Sequence, residues 1–325
     1  MARRRLPRTP GPVSTVYLAW LLLLLVGGVL VHLTGGVLLD EGGVQNILTR
    51  STALGLVALG QTLVVLTGSL DLSVAYLVGL CSLVTAETMA RGEGAGGAAA
   101  ALALALAVAA AVGFVNGLVI TVLKANAFIA TLGVALMLRG YLENTYTGPA
   151  GSVPRGFQHL GYDRIGPVPV AALLMLTLAA AAWWYLRHTR AGHHMYAVGG
   201  DAEAARLSGV RVRRTIVTAH VLCSLAAGLA GIYLASRLGS GAPYVGTDAG
   251  YDLESIAAVV LGGTALAGGR GGVAGTIGGV LILATLDTVF DELAVDPFFK
   301  DVLRGVVLVA AVALYARRGA VGRRA

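Results

Sequence analysis

Apolar stretches long enough to cross a bilayer follow one another along almost the whole chain, separated by short polar or glycine-rich breaks. A bilayer core takes about 20 apolar residues as a helix. On that measure, spans are predicted near residues 14–36, 51–68, 70–90, 98–122, 127–147, 167–186, 215–236, 252–267, 273–290 and 301–316. Several are short, and glycine or flanking charge interrupts two of them. The expected fold class is an all-α integral membrane protein of about ten transmembrane helices with broken or re-entrant segments.

The polar punctuation sets an orientation. An even number of spans returns both ends to one side. With the N-terminus inside, 16 of the 24 basic residues fall on the inner side. They are Arg3, Arg4, Arg5 and Arg8, then Lys124, the six arginines of a 187–214 loop, Arg270, and Arg317, Arg318, Arg323 and Arg324. This bias follows the positive-inside rule and predicts that both termini are cytoplasmic. The chain then divides into a basic cytoplasmic tail over 1–13, a transmembrane domain over 14–316 with a cytoplasmic loop at 187–214, and a cytoplasmic tail over 317–325. The first span has a basic leader like that of a signal peptide, but 13–33 is too long for such a core and no small-residue cleavage site closes it. It reads as a retained helix. The outer loop at 148–166, with Pro149, Pro154 and Pro167 at or beside it, is expected to be ordered only by turns. The Ala/Gly-rich run from Gly92 to Ala111 is expected to be a closely packed span, because small residues let helices approach.

Composition sharpens this picture. Hydrophobic residues make up 56% of the chain and charged residues 13%, against about 25% charged in a soluble domain. Mean hydropathy is +0.78 and the sequence pI about 9.7. The net charge of +7 sits between and beyond apolar runs, with no basic stripe interleaved with aromatics, so nucleic-acid binding is not expected. Cys81 and Cys223 lie inside apolar runs and form neither a disulfide framework nor a metal spacing. His188, His193 and His194 cluster without carboxylate or thiol ligands, so no metal site is predicted. No soluble domain is present, and any energy source or water-soluble receptor must come from another chain.

A nucleotide-binding loop of the Gly-x-x-x-x-Gly-Lys-Ser/Thr kind is missing. Neither Lys124 nor Lys300 follows a glycine or precedes a hydroxyl residue. Gly269–Ala274 matches a dinucleotide fingerprint only loosely, with no strand before it. The inner loop is more informative. Its Glu203-Ala204-Ala205-Arg206-Leu207-Ser208-Gly209 resembles the Glu-Ala-Ala-x-x-x-Gly signature of ABC importer permeases. Asp201 is placed to N-cap a short helix and Glu203 favours its positive end; Ala204, Ala205 and Leu207 give a small apolar face, and Gly209 can end it. Such a helix suits a groove on a partner, although a solvated loop helix would read the same way.

The wider chain, over roughly 44–316, resembles the monosaccharide-importer permeases, the branch that includes ribose, xylose, arabinose and galactose permeases. The matching blocks are Gly60–Val74, Asn116–Val119, Phe128–Gly133 with Leu138-Arg139-Gly140, Tyr196–Gly200 with Ala204–Val210, and Ala257–Thr264 with Gly268–Gly271. Ser69, Leu70, Ala75 and Asp201 depart from the usual residues and leave the substrate open. The resemblance implies a permease subunit working by alternating access in the cytoplasmic (inner) membrane, with a second permease copy sharing the pathway. It further implies a cytoplasmic ATP-binding subunit docked at Asp201–Gly209 and an extracytoplasmic sugar-binding protein. ATP and Mg would be held by the ATPase, with no cofactor on this chain. Permeases for nucleosides or branched-chain amino acids are the nearest alternatives on substrate.

Polar groups inside apolar runs are the remaining candidates. Asp71, after Gly68, either lines a helix break beside the pathway or caps the next helix with Ser73 nearby. Gln61, Asn116, Thr131, Asn144 and Glu254 either face a hydroxylated solute or hold helices together by hydrogen bonds. Gly262 and Gly263, with Gly268–Gly272, either form a pore-side element or a tight turn. A gradient-driven secondary transporter is the alternative from another class, which paired broken helices in an internal repeat would favour; no clear repeat is seen. An intramembrane enzyme finds no His-Glu-x-x-His or Gly-x-Ser-x-Gly to support it.

Overall fold

A computed structural model of the chain describes residues 12–92, 94–296, 298–300, 302, 305 and 306. The described elements are the helices α1 (Pro12–Leu33), α2 (Glu41–Leu66), α3 (Val74–Arg91), α4 (Gly94–Val122), α5 (Ala127–Thr145) and α6 (Arg155–Tyr162). Strands β1 (Arg164–Ile165) and β2 (Val168–Pro169) follow. Then come α7 (Val170–His188), α8 (Arg190–Gly200), α9 (Ala202–Leu207), α10 (Val212–Leu238), α11 (Val245–Asp248), α12 (Tyr251–Leu261) and α13 (Val273–Glu292).

Seven of these helices are long and apolar enough to cross a membrane: α1, α2, α3, α4, α7, α10 and α13. The expected spans near 127–147 and 252–267 are present as α5 and α12. The polar last turns of α5, with Arg139, Glu143 and Asn144, keep it outside the seven, and α12 has only 11 residues. The expected span at 301–316 lies outside the described residues except at 302, 305 and 306, as do most of the two tails.

Two expectations about boundaries are corrected. The second helix starts ten residues before the predicted 51, at Glu41. Asp40 caps it, its carboxylate accepting from Gly43 N at 2.7 Å, and the polar first turns project outward, where Arg50 pairs with Asp291. The 148–166 loop carries more than turns. Pro154 opens α6, β1 and β2 pair antiparallel, and Ser236 Oγ on α10 donates to Phe157 O at 2.9 Å. An amphipathic helix anchored on α10 therefore replaces part of the expected irregular loop.

The run of small residues packs as expected. Ala101, Ala105, Ala109, Gly113 and Gly117 recur every fourth position on α4, so they form one ridge, and all are buried. A Cβ on Gly113 would meet His220 O at 2.5 Å, and one on Gly117 would meet Val217 Cα at 2.7 Å. Backbone-to-backbone approach of α4 to α10 therefore requires these glycines. The helices differ in what they face. α2 is buried over most of its length and carries Ser51, Thr52, Gln61 and Thr62 inside. α1 is more apolar and mostly exposed, touching the rest mainly through α13 by Trp20 Nε1 to Thr285 Oγ1 at 3.0 Å and Tyr17 Oη to Ala274 O at 3.0 Å.

The connections gather at two places. The end of α8, the end of α2 and the 262–272 turn meet at one, with Gly269 N donating to Leu66 O at 3.0 Å. The end of α3, the 146–154 segment and the end of α10 meet at the other, through the Ala150–Gly241 bridge and Ser152 N to Ala86 O at 3.2 Å.

Candidate functional site

Two groups of residues singled out from the sequence are each assembled by the fold, and a glycine contact links their neighbourhoods.

The first is the α8–α9 elbow. Thr189 caps α8, accepting from Gly192 N at 3.0 Å. Asp201 then caps α9, its Oδ1 accepting from Glu203 N and Ala204 N, both at 2.9 Å. The end is equally defined. Gly209 N donates to Arg206 O and Val210 N to Ala205 O, each at 3.0 Å, with Gly209 at φ +83°, the left-handed stop that glycine adopts without strain. Arg206 reaches back to Glu203 with two hydrogen bonds of 2.9 and 2.5 Å. That contact holds the Glu203 carboxyl below its ordinary range. Both side chains are about two-thirds exposed, so the pair adds little to stability. Ala204 and Leu207 are exposed, Leu207 at 74%, while Ala205 is turned inward at 5%. The expected face of three apolar residues is thus two. Ala205 packs beneath because it lies on the opposite side of a single short helix.

The second is a polar cluster around the break between α2 and α3. Asp71 is fully buried. Its Oδ1 accepts from Ser73 N at 3.0 Å and Ser73 Oγ at 2.6 Å; Asn116 Nδ2 lies 3.3 Å from each carboxylate oxygen, and His220 Nδ1 lies 3.3 Å from Oδ2. A carboxylate offers only acceptors, so the His220 Nδ1–H donates, and Ser69 Oγ meets the other ring nitrogen at 2.9 Å. Gln61 Nε2 donates to Asp71 O at 3.0 Å, and Thr131 Oγ1 accepts from Leu72 N at 3.2 Å. Side chains from α2, α4, α5 and α10 thus converge on one irregular segment.

Asp71 does not cap α3 itself. Ser73 is the N-cap, and the carboxylate binds that residue's amide from two positions earlier, because the chain turns at Gly68 (φ +77°) before the helix begins. Gln61, Asp71, Ser73, Asn116 and Thr131 all share this cluster and are sealed from solvent. Glu254 does not join them. It is buried in the first turn of α12, an element packed on α2 and α13. Gly262 and Gly263 end α12, where a Cβ on Gly262 would lie 2.4 Å from Gly275 C, so they shape the α12–α13 turn. Asn144 is exposed on the last turn of α5. Sequence reasoning missed His220 and Ser69. The available signal for His220 was an ionisable residue in the middle of an apolar run.

The link is backbone on backbone. A Cβ on Gly199, near the end of α8, would lie 1.9 Å from Leu66 O and 2.5 Å from Gly269 N. Gly268 in turn sits against Gly68, where a Cβ would be 2.7 Å from its amide nitrogen. Tyr196 Oη donates to Gly271 O at 3.1 Å. The elbow is therefore in direct contact with both helix breaks, just before α9.

Comparison with known proteins places this architecture. The family model described as "Branched-chain amino acid transport system / permease component" matches residues 43–312. The ribose import permease protein RbsC of Escherichia coli K12 is 39% identical over 274 residues, 82% of this chain and 83% of that protein. RbsC of Bacillus subtilis is 39% identical over 287 residues, 87% of each chain. The L-arabinose transport system permease protein AraH of Escherichia coli K12 is 39% identical over 259 residues, 79% of this chain and 77% of AraH. No solved structure matches.

Proposed function

This chain belongs to the family of branched-chain amino acid transport system permease components, and from that premise we propose that it carries a monosaccharide across the cytoplasmic membrane as the permease subunit of an ATP-driven importer. It is a multi-pass protein of that membrane. The observation that carries the sugar class is the 39% identity, over about four fifths of the chain, to permeases named for ribose and L-arabinose. Those two sugars differ from one another, so the reading extends to the class and leaves the individual sugar to experiment.

The labour is divided in this reading. ATP and Mg belong to a separate cytoplasmic subunit, which docks on α9 and its exposed Leu207. Hydrolysis there biases the permease between inward- and outward-open states, and no covalent step falls to this chain. A second copy completes the pathway, and an extracytoplasmic binding protein delivers the sugar.

Uptake of labelled pentoses, hexoses, nucleosides and branched-chain amino acids by cells with and without the chain tests the reading. ATP depletion should abolish uptake of one monosaccharide, and a protonophore should spare it while ATP lasts. Uptake of an amino acid or nucleoside instead would move the substrate class. Collapse under the protonophore alone would make the chain a gradient-driven carrier.

Docking has its own test. Glu203→Lys places like charges beside Arg206, and Gly209→Val forces a β-branched residue into a left-handed turn at about 1–2 kcal/mol. Both variants, and Leu207→Asp, should reach the membrane yet co-purify with much less ATPase. Full co-purification with all three would remove α9 as the docking element.

A further inference from the structure

Beside the elbow lies a cavity of about 300 Å3, between the end of α7, the face of α8 and the start of α10. Arg211, Arg214, His194, Tyr185, Thr215 and Thr218 line it, Gly209 forms part of its wall, and no carboxylate does. We propose that this cavity binds a phosphate group, with the headgroup of an anionic phospholipid as its occupant.

Four observations converge on that chemistry. Arg206, which does not face the cavity, is tied to Glu203, but among the described residues neither Arg211 nor Arg214 has an ion-pair partner. Two guanidinium forks on one small cavity repel each other unless an anion sits between them, and arginine matches phosphate with paired donors. Hydroxyls of Tyr185 and Thr218 and the His194 ring add further donors around them. Arg211 is also the N-cap of the 27-residue α10 and no side-chain cap bond is made there, so the positive end of that helix adds to the field.

The cavity's level favours a lipid as the source. Trp183 and Trp184 are exposed on the turn of α7 that carries Tyr185. Arg187 sits 5.6 Å over the Trp183 ring, and His188 stacks on Trp184 at 5.8 Å. Exposed tryptophans beside basic groups mark the membrane–water boundary, where headgroups lie. Orientation by positive charge explains basic residues anywhere in this loop, but not their convergence with hydroxyls on one cavity. Since Gly209 both lines the cavity and ends α9, an occupant would brace the C-terminal end of that helix. The site does not depend on which solute is carried, and its test does not read transport.

The experiment uses the full-length chain, purified and examined by native mass spectrometry with phosphatidylglycerol or phosphatidylcholine added, and separately with millimolar inorganic phosphate. The wild-type chain should hold phosphatidylglycerol in preference to phosphatidylcholine. Arg211→Gln/Arg214→Gln should reduce that binding by about tenfold or more, since it removes both guanidinium forks that would pair with the phosphate. Arg190→Gln/Arg213→Gln makes the same charge change in the same loop outside the cavity and should keep the preference. Thermal unfolding of each variant checks that it is folded, and phosphatidylglycerol should raise the melting temperature of the wild type and of the control pair only. Displacement of the lipid by inorganic phosphate would keep the phosphate site and change its source to a soluble one. Equal losses in both pairs would reduce the effect to surface charge and overturn the proposal. So would unchanged lipid binding in Arg211→Gln/Arg214→Gln together with lost ATPase co-purification, which would assign these arginines to the protein partner.

Discussion

Gly199→Ala should cut uptake per permease molecule by tenfold or more, while Gly200→Ala, one residue on, should leave it near wild type. The two glycines are adjacent in α8 and indistinguishable by composition. A Cβ on Gly199 would lie 1.9 Å from Leu66 O and 2.5 Å from Gly269 N, and the space around Gly200's Cβ position is open. Both neighbours of Gly199 are backbone atoms, so no side chain can rotate away. Overpacking of this kind costs about 1–3 kcal/mol where the surroundings can yield, and here yielding means parting α8 from the end of α2. That separation would also strain the Gly269 N to Leu66 O hydrogen bond, which closes the contact between the two breaks. Alanine at 200, by contrast, replaces a poor helix former with the best. Uptake normalised to permease in the membrane is the measurement. Equal tolerance at both positions would show that the elbow does not act through this contact.

The second large effect is expected at Asp71. Asp71→Ala strips the acceptor from Ser73, Asn116 and His220 at once in a fully buried place. Leaving a buried hydrogen-bonding group without its partner typically costs about 1–3 kcal/mol, and here three groups lose theirs together. Thermal unfolding of the purified chain should therefore fall sharply. Removing both partners is a different matter. Asp71→Leu/His220→Leu should be more stable than Asp71→Leu alone, since two apolar groups of similar size leave no orphaned donor on the ring. A double variant as unstable as the sum of its parts would mean that His220 and Asp71 are not coupled.

The sequence made most of the long helices visible, because lipid imposes length and composition on them. It also isolated Gln61, Asp71, Ser73, Asn116 and Thr131, each a polar group in an apolar run, and the fold brings these five together. What it could not show was that they meet. Convergence depends on how α4 slides against α10, and that depends on Gly113 and Gly117 passing the backbone near His220. His220 escaped for the same reason, as a lone histidine in an apolar stretch until the packing pairs it. Glu254 carried the same signal and lies elsewhere, so polarity alone did not sort the two. The short helix α9 was legible from its ends, since Asp201 and Gly209 are local signals for a start and a stop. The inward turn of Ala205 was not, because it follows from what lies beneath a six-residue helix. α6 went unseen for want of a long apolar face, its anchors being contacts with distant residues: Phe157 packed on the core, Gly161 against the Arg237 backbone, and the hydrogen bond from Ser236.

The contrast between α1 and α2 bears on how the chain is made. α1 is strongly apolar and lies mostly exposed, so it can rest in lipid by itself as soon as it leaves the ribosome. α2 is less apolar and hides Gln61 and Thr62 inside the bundle, where Cys223 of α10 and Thr276 of α13 meet them; bare lipid offers no such partners. Its partners on α10 and α13 are synthesised more than 140 residues later. During synthesis α2 must therefore wait, at the insertion channel or beside a chaperone, until the second half of the chain arrives to cover it. Truncation after α5 would leave a fragment anchored by its first helix with its second still exposed to quality control.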